Sequence, residues 1–247
     1  MIKVGNIALN GIPRVAIAVS DRESNGSIES RNIDIIEIRI DQFSQLDDAH
    51  IKDNIIDRKA LNLPLILTVR SKKEGGERYI SDTRKLKIFE DNIPLVDAVD
   101  IELRSSIVSQ VVHLAKKNKK LVVISWHDFK STPNNKILAG ILSAARGKGA
   151  GVVKIAAKAN RAIDVNQLME FTQKNRSKNI VVIALGSIGA ISRLSFPMAG
   201  SLITYSYIAA PSGVGQIPLD ILQEQLRLFY PRYNQYLINK SAVVEDA

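Results

Sequence analysis

"IDIIEIRID", residues 33–41, puts Ile36, Ile38 and Ile40 on one face of an extended strand and Glu37, Arg39 and Asp41 on the other. Its neighbours along the chain decide which face is inside. Seven further runs have strand character: "RVAIAVS" (14–20), "LPLILTVR" (63–70), "AVDIEL" (98–103), "KLVVISWHDF" (120–129), "GVVKIAA" (151–157), "NIVVIALG" (179–186) and "SLITYSYIA" (201–209). Helical patterns fall between them at 106–118, 134–149 and 164–176, and a last one, 218–237, opens at Pro218. Strands alternating with helices imply a parallel sheet. Eight such units in 247 residues predict an α/β fold, a single (β/α)8 TIM barrel spanning 1–247. An open doubly wound sheet is the alternative, but "AVSDRESNGSIESRN" after the first strand has no G-x-G-x-x-G turn. That stretch predicts a short first helix, and "KVGNIAL" predicts a small extra strand closing the barrel bottom.

In a barrel the outer strand face packs on helices and must be apolar. The isoleucines of 33–41 therefore face outward, and Glu37, Arg39 and Asp41 face the interior near the end where barrel active sites lie. A satisfied internal ion-pair network is the plainer reading of this one strand, but other strand ends add to it. Arg70 ends the third strand and leads into a loop where Glu74 precedes two glycines; Glu102 and Arg104 end the fourth. His127 ends the fifth, on the face of Val123 and Ser125, and Arg193 follows the seventh. Lys154 lies in the middle of the apolar sixth strand and shares its inner face with Val152 and Ala156. Burying a lone ammonium there is costly unless the group is paired or used.

Composition narrows the functions. The absence of cysteine removes disulfides, thiol nucleophiles and thiolate metal sites. His50 and His113 fall in helical segments, and no histidine and carboxylates share metal-ligand spacing, so no metal is expected. The net charge is +9, but the basic residues are interspersed with acids and lack an aromatic cluster. That predicts a field attracting anionic small molecules, with no nucleic-acid partner. No apolar run reaches membrane-spanning length and "MIKVGNIALN" lacks a signal-peptide pattern, so no membrane partner and a cytoplasmic location are expected.

A buried lysine with a histidine, a glutamate and arginines suits imine chemistry. Desolvation and nearby positive charge favour a free amine able to attack a ketone, and a histidine can then move a proton. Lys158, beyond the strand in "AKANR", reads as solvated. A class I aldolase or transaldolase acting on a sugar phosphate uses the same lysine, and "PSGVGQ" could offer backbone amides to a phosphate. A catalytically silent barrel would be expected to have lost Lys154, His127 or Glu74, and all three are present.

From about residue 13 to 220 the motifs "EIRID" (37–41), "TVRSKKEGGE" (68–77), "DAVDIEL" (97–103), "SWHDF" (125–129), "GVVKIA" (151–156), "GAISRL" (189–194) and "APSGVGQIP" (210–218) resemble type I 3-dehydroquinate dehydratase. Singly they are weak signals; in this order, on these strand ends, they are specific. The resemblance implies dehydration of 3-dehydroquinate to 3-dehydroshikimate through a Schiff base, without a cofactor, in a homodimer. It implies that Lys154 forms the imine, His127 is the general acid and base, and Glu74 orients His127. Arg193 would clamp the substrate carboxylate, Glu37, Arg39 and Arg70 would bind ring hydroxyls, and Ser212 and Gln216 would complete the cage. Tyr205 would line the pocket where the family usually has Phe, and Ile183 and Leu185 stand where many members carry Met.

Overall fold

All eight strand-like runs form strands in the computed structural model, which describes residues 1–9, 11–29, 31–211 and 213–245. They are β3 (Arg14–Val19), β4 (Ile35–Arg39), β5 (Leu65–Thr68), β6 (Ala98–Glu102), β7 (Leu121–Asp128), β8 (Val152–Lys158), β9 (Ile180–Leu185) and β10 (Ile203–Tyr207). β1 (Lys3–Val4) and β2 (Ile7–Ala8) precede them, and β11 (Ile217–Pro218) follows. The helices are α1 (Gly26–Glu29), α2 (Asp48–Lys59), α3 (Asp82–Asn92), α4 (Val108–Lys117), α5 (Asn135–Gly147), α6 (Ala162–Lys174), α7 (Ser192–Ala199), α8 (Leu219–Phe229) and α9 (Pro231–Glu245).

The parallel sheet runs β11-β10-β3-β4-β5-β6-β7-β8-β9. Its curl brings β9 back towards β10, but no strand ladder joins those two among the described residues. They meet instead where the Leu202 amide donates to the Ile180 carbonyl (2.9 Å) and the Val182 amide donates to Ser201 Oγ (3.0 Å). The expected fold class is observed, with this seam in place of a continuous ninth pairing.

The alternation read in 33–41 holds. Ile36, Ile38 and Ile40 join the large apolar cluster between strands and helices. The interior is stacked in layers drawn from alternate strands, as barrel geometry requires. At the bottom, Ile35, Ala98, Val152 and Ile203 come from β4, β6, β8 and β10; Ala16, Ile66, Val123 and Val181 come from the strands between. Two residues further along the first set of strands, the layer becomes Glu37, Asp100, Lys154 and Tyr205.

Three local expectations are corrected. The single extra strand at the N-terminus is a two-stranded antiparallel hairpin pairing Lys3 with Ala8 and Val4 with Ile7, and Val4 and Leu9 are buried against the bottom layer. The helical run 218–237 is two helices, because Pro231 cannot continue α8 and keeps Tyr230 out of helical geometry (φ −124°, ψ 87°). Lys158 is the last residue of β8, half-buried, rather than a solvated residue beyond it. The first helix is short as expected, a single turn at Gly26–Glu29.

Candidate active site

At the C-terminal ends of the strands, a cleft is lined by Glu37, Arg39, Arg70, Glu74, His127, Lys154, Arg193, Tyr205 and Gln216. Nine of the ten expected site residues therefore converge. The tenth, Ser212, lies outside the described residues. Ile183 and Leu185 line the cleft as apolar wall.

Lys154 is 5% exposed and its Nζ donates to Glu37 Oε2 (2.9 Å) and Asp100 Oδ2 (3.1 Å), with the Tyr205 ring centroid 4.2 Å away. Its immediate partners are thus two carboxylates, not the positive charges that the sequence suggested. Burial pushes the Glu37 carboxyl up, but the Lys154 ammonium together with the Arg70 and Arg39 cations holds it below its ordinary range. Asp100 is likewise drawn down: burial opposes ionisation, and the Arg70 and Lys154 cations overcome it. Arg70 bridges the layers, donating to Asp100 Oδ1 (2.9 Å) and Ser125 Oγ (2.7 Å) and lying 3.4 Å from Glu102 Oε1. Sequence reasoning gave Asp100 no role. The signal was there: in "AVDIEL" it alternates with Ala98 and Glu102 and so must face inward.

His127 sits one layer above the lysine, in register with Ala156 of β8. Its Nδ1 lies 3.0 Å from Glu74 Oε2, and its backbone amide donates to the same oxygen (2.9 Å). Facing a carboxylate, Nδ1 carries the hydrogen, so neutral His127 presents an Nε2 lone pair to the cleft. Burial, then the Arg70 charge, lower the His127 pKa below 6.5, with Glu74 pulling the other way. Arg104 fixes the far side of the pair, donating to Glu74 Oε1 (2.8 Å) and to the His127 carbonyl (2.6 Å). Burial raises the Glu74 pKa, and the hydrogen bonds from His127 and Arg104 bring it below the ordinary value.

The turn Lys72–Glu74 places this glutamate because a glycine follows it. Gly75 has φ +87°, and a Cβ there would lie 2.5 Å from the Phe129 ring, which stacks beside the His127 imidazole.

The arginines divide into two kinds. Arg39 is neutralised by a two-point pair with Asp41 (2.9 and 2.8 Å). Arg193 enters from the first turn of α7, is 2% exposed, and donates through Nη1 to the Ala184 carbonyl (3.0 Å) and Ser192 Oγ (2.9 Å). Its buried Nε has no partner among the described residues, and burial lowers its pKa to about 10. A buried cation without a carboxylate beside a cleft is suited to an anionic ligand. Above it, the loop after β10 folds over the mouth: the Gly186 amide donates to the Val214 carbonyl (3.0 Å), which brings Gly213 and Gln216 to the cleft.

Among the described residues no group of three or more His, Cys, Asp and Glu could hold a metal, and no helix is long and apolar enough to cross a membrane.

Comparison with known proteins gives one answer. The family model for type I 3-dehydroquinase matches residues 17–232. The 3-dehydroquinate dehydratase of Hydrogenobaculum sp. is 34% identical over 221 residues, covering 89% of this chain and all of the relative. The crystal structure of the Aquifex aeolicus 3-dehydroquinate dehydratase superposes with a TM-score of 0.78 at 34% identity, over 88% of this chain and 99% of that one. The type I enzyme of Clostridium difficile does so at 0.80 and 29% identity, over 94% and 98%. Fold, cleft and sequence agree: this chain belongs to the type I 3-dehydroquinase family.

Proposed function

We propose that this protein is a hydro-lyase that dehydrates 3-dehydroquinate to 3-dehydroshikimate in the shikimate pathway, using Lys154 as the imine-forming amine and His127 as the proton carrier. One observation carries the assignment of roles: a lysine held on two carboxylates lies one layer below a histidine locked by a carboxylate into the tautomer of a base. His127 takes a proton from the Lys154 ammonium, the free amine attacks the C3 ketone, and that proton leaves with the adduct's hydroxyl. Loss of water from the adduct leaves an iminium. His127 Nε2 takes a proton from C2, and the C–H electron pair becomes an enamine. That pair then expels the C1 hydroxyl, which departs as water with the proton from His127. A second water hydrolyses the conjugated iminium and returns Lys154. The net change is the loss of one water, and only groups of the chain take part.

Arg193 holds the substrate carboxylate, since its buried guanidinium has no carboxylate partner among the described residues. Glu37, Arg39 and Arg70 meet the ring hydroxyls, with Gln216 covering them. The sugar-phosphate reading is weaker, because the Gly186 amide after β9 is committed to the Val214 carbonyl and is not offered to a phosphate. We further place the chain in the cytoplasm as one catalytic domain, working as a homodimer.

The test is incubation with 3-dehydroquinate, following the ultraviolet absorbance of the conjugated enone, then borohydride reduction and peptide mapping. The expected adduct is on Lys154. Lys154→Ala loses both adduct and turnover, whereas His127→Ala still traps an adduct while kcat drops about 10²–10⁴-fold. Absence of the enone, or an adduct on another lysine, rejects the assignment.

A further inference from the structure

Arg104 follows β6 by two residues, and its side chain reaches both segments that build the His127 site. Its Nε donates to Glu74 Oε1 (2.8 Å), and its Nη2 donates to the His127 carbonyl (2.6 Å). The guanidinium lies over the Trp126 ring, 5.2 Å from its centroid, which steadies the guanidinium plane. Glu74 is buried and spends its other oxygen, Oε2, on the amide and the ring of His127. Among the described residues the chain offers Oε1 no hydrogen-bond donor besides Arg104. A carboxylate held at one oxygen alone can turn about its Cγ–Cδ bond, and a buried oxygen left without a donor favours such a turn. Donation at both oxygens removes that freedom.

We propose that Arg104 is a positioning residue for the proton carrier. By bonding Glu74 and the His127 main chain at once, it holds carboxylate and imidazole in the setting that leaves Nε2 facing the cleft. This deepens the proposed function and rests on His127 being its base. The role needs a fork and not merely a charge, because two acceptors on different segments are met by two N–H groups of one plane. The other charged groups close to His127 are Arg70 after β5, Asp100 from β6 and Lys154 from β8. They bond one another or their own layer, and among the described residues none of them hydrogen-bonds Glu74. The Arg104 side chain is 51% exposed, so a small cation from solvent can reach the place of its guanidinium.

The test is Arg104→Ala, read first without substrate. The chain has three histidines, so nitrogen-15 labelling of histidine gives an NMR spectrum that substitution of His50 and His113 assigns. Near pH 8 His127 is neutral, and in wild type its Nδ1 proton, held on Glu74, is expected as a sharp downfield signal. In Arg104→Ala that signal broadens or disappears. With 3-dehydroquinate, kcat falls about 10–100-fold and KM stays within about twofold. Ethylguanidinium, the part of the side chain that the substitution removes, restores the signal and part of kcat at millimolar concentration. Ethylammonium carries the charge without the fork and restores neither. Recovery with ethylguanidinium also establishes that the variant is folded. An unchanged Nδ1 signal in Arg104→Ala overturns the proposal, as does an absence of recovery with ethylguanidinium or an equal recovery with ethylammonium. Failure of wild type to dehydrate 3-dehydroquinate counts against the functional reading alone, since the NMR signal judges Arg104 separately.

Discussion

Glu74 does two things to His127 that pull activity in different directions. It fixes the tautomer, which a base at Nε2 requires, and it raises the imidazole pKa against the stronger downward effects of burial and Arg70. With His127 as the proposed base, the expected outcome is that kcat/KM loses activity as pH falls through a midpoint below 6.5. Removing the charge of Glu74 while keeping its size tests both effects. Glu74→Gln deletes an interaction that raises the pKa, so the acid limb moves further to the acid side. Meanwhile the poorly held imidazole lowers kcat by about 10–100-fold. Paired pH–rate profiles measure this; an acid limb displaced upward in the variant would contradict the assigned geometry. At this scale most of the site was legible in the sequence, because a charged residue alternating with apolar ones on a parallel strand has few places to go. The missed residue, Asp100, obeys the same rule. Its signal is masked by Glu102 and Arg104, which concentrate charge at the end of the same segment.

The loop between β10 and β11 gives the site its roof, and one glycine sets how closely that roof sits. Gly215 has φ +83°, and a Cβ on it would come within 2.2 Å of the Gly186 carbonyl oxygen. Gly215→Ala thus meets a strained dihedral and a backbone clash together, and the loop must lift. The expected result is a KM raised about tenfold or more through the loss of Gln216, with kcat less affected and the melting temperature within a few degrees of wild type. Steady-state kinetics beside a thermal melt decide it. An unchanged KM would mean that the loop is not part of the substrate cage. Strands and loops were not equally readable. Eight strands followed from runs such as "GVVKIAA", because burial on both faces leaves a continuous apolar signature. The hairpin at Lys3–Val4 and Ile7–Ala8 is too short to carry a period, and the seam between β9 and β10 depends on curvature of the whole sheet, which no local pattern encodes. The break at Pro231 was visible in the sequence. Apolar spacing that continues on both sides of it, through Leu226 and Tyr233, masks the break.

Across the molecule, the barrel divides along its axis into an end that reacts and an end that holds. Above the level of Ala16, Ile66, Val123 and Val181 the interior fills with ions whose placement serves chemistry and contributes little net stability. Below it the filling is apolar, and the β1–β2 hairpin seals it with Val4 and Leu9, which are 0% and 1% exposed. The two ends are separated by two layers of side chains, roughly 6–7 Å along each strand at about 3.3 Å per residue. Damage to the seal should therefore weaken the fold and spare the reaction. Leu9→Ala leaves a cavity at the bottom layer, away from the lysine layer, and its expected cost is about 2–4 kcal/mol of unfolding free energy. Urea denaturation of the variant reads that loss as a lower midpoint with an unchanged slope. Initial rates with 3-dehydroquinate, taken well below the melting transition, should stay within about twofold of wild type. A tenfold fall in kcat at a temperature where the variant is fully folded would show that the bottom seal and the lysine layer are mechanically coupled, contrary to this division.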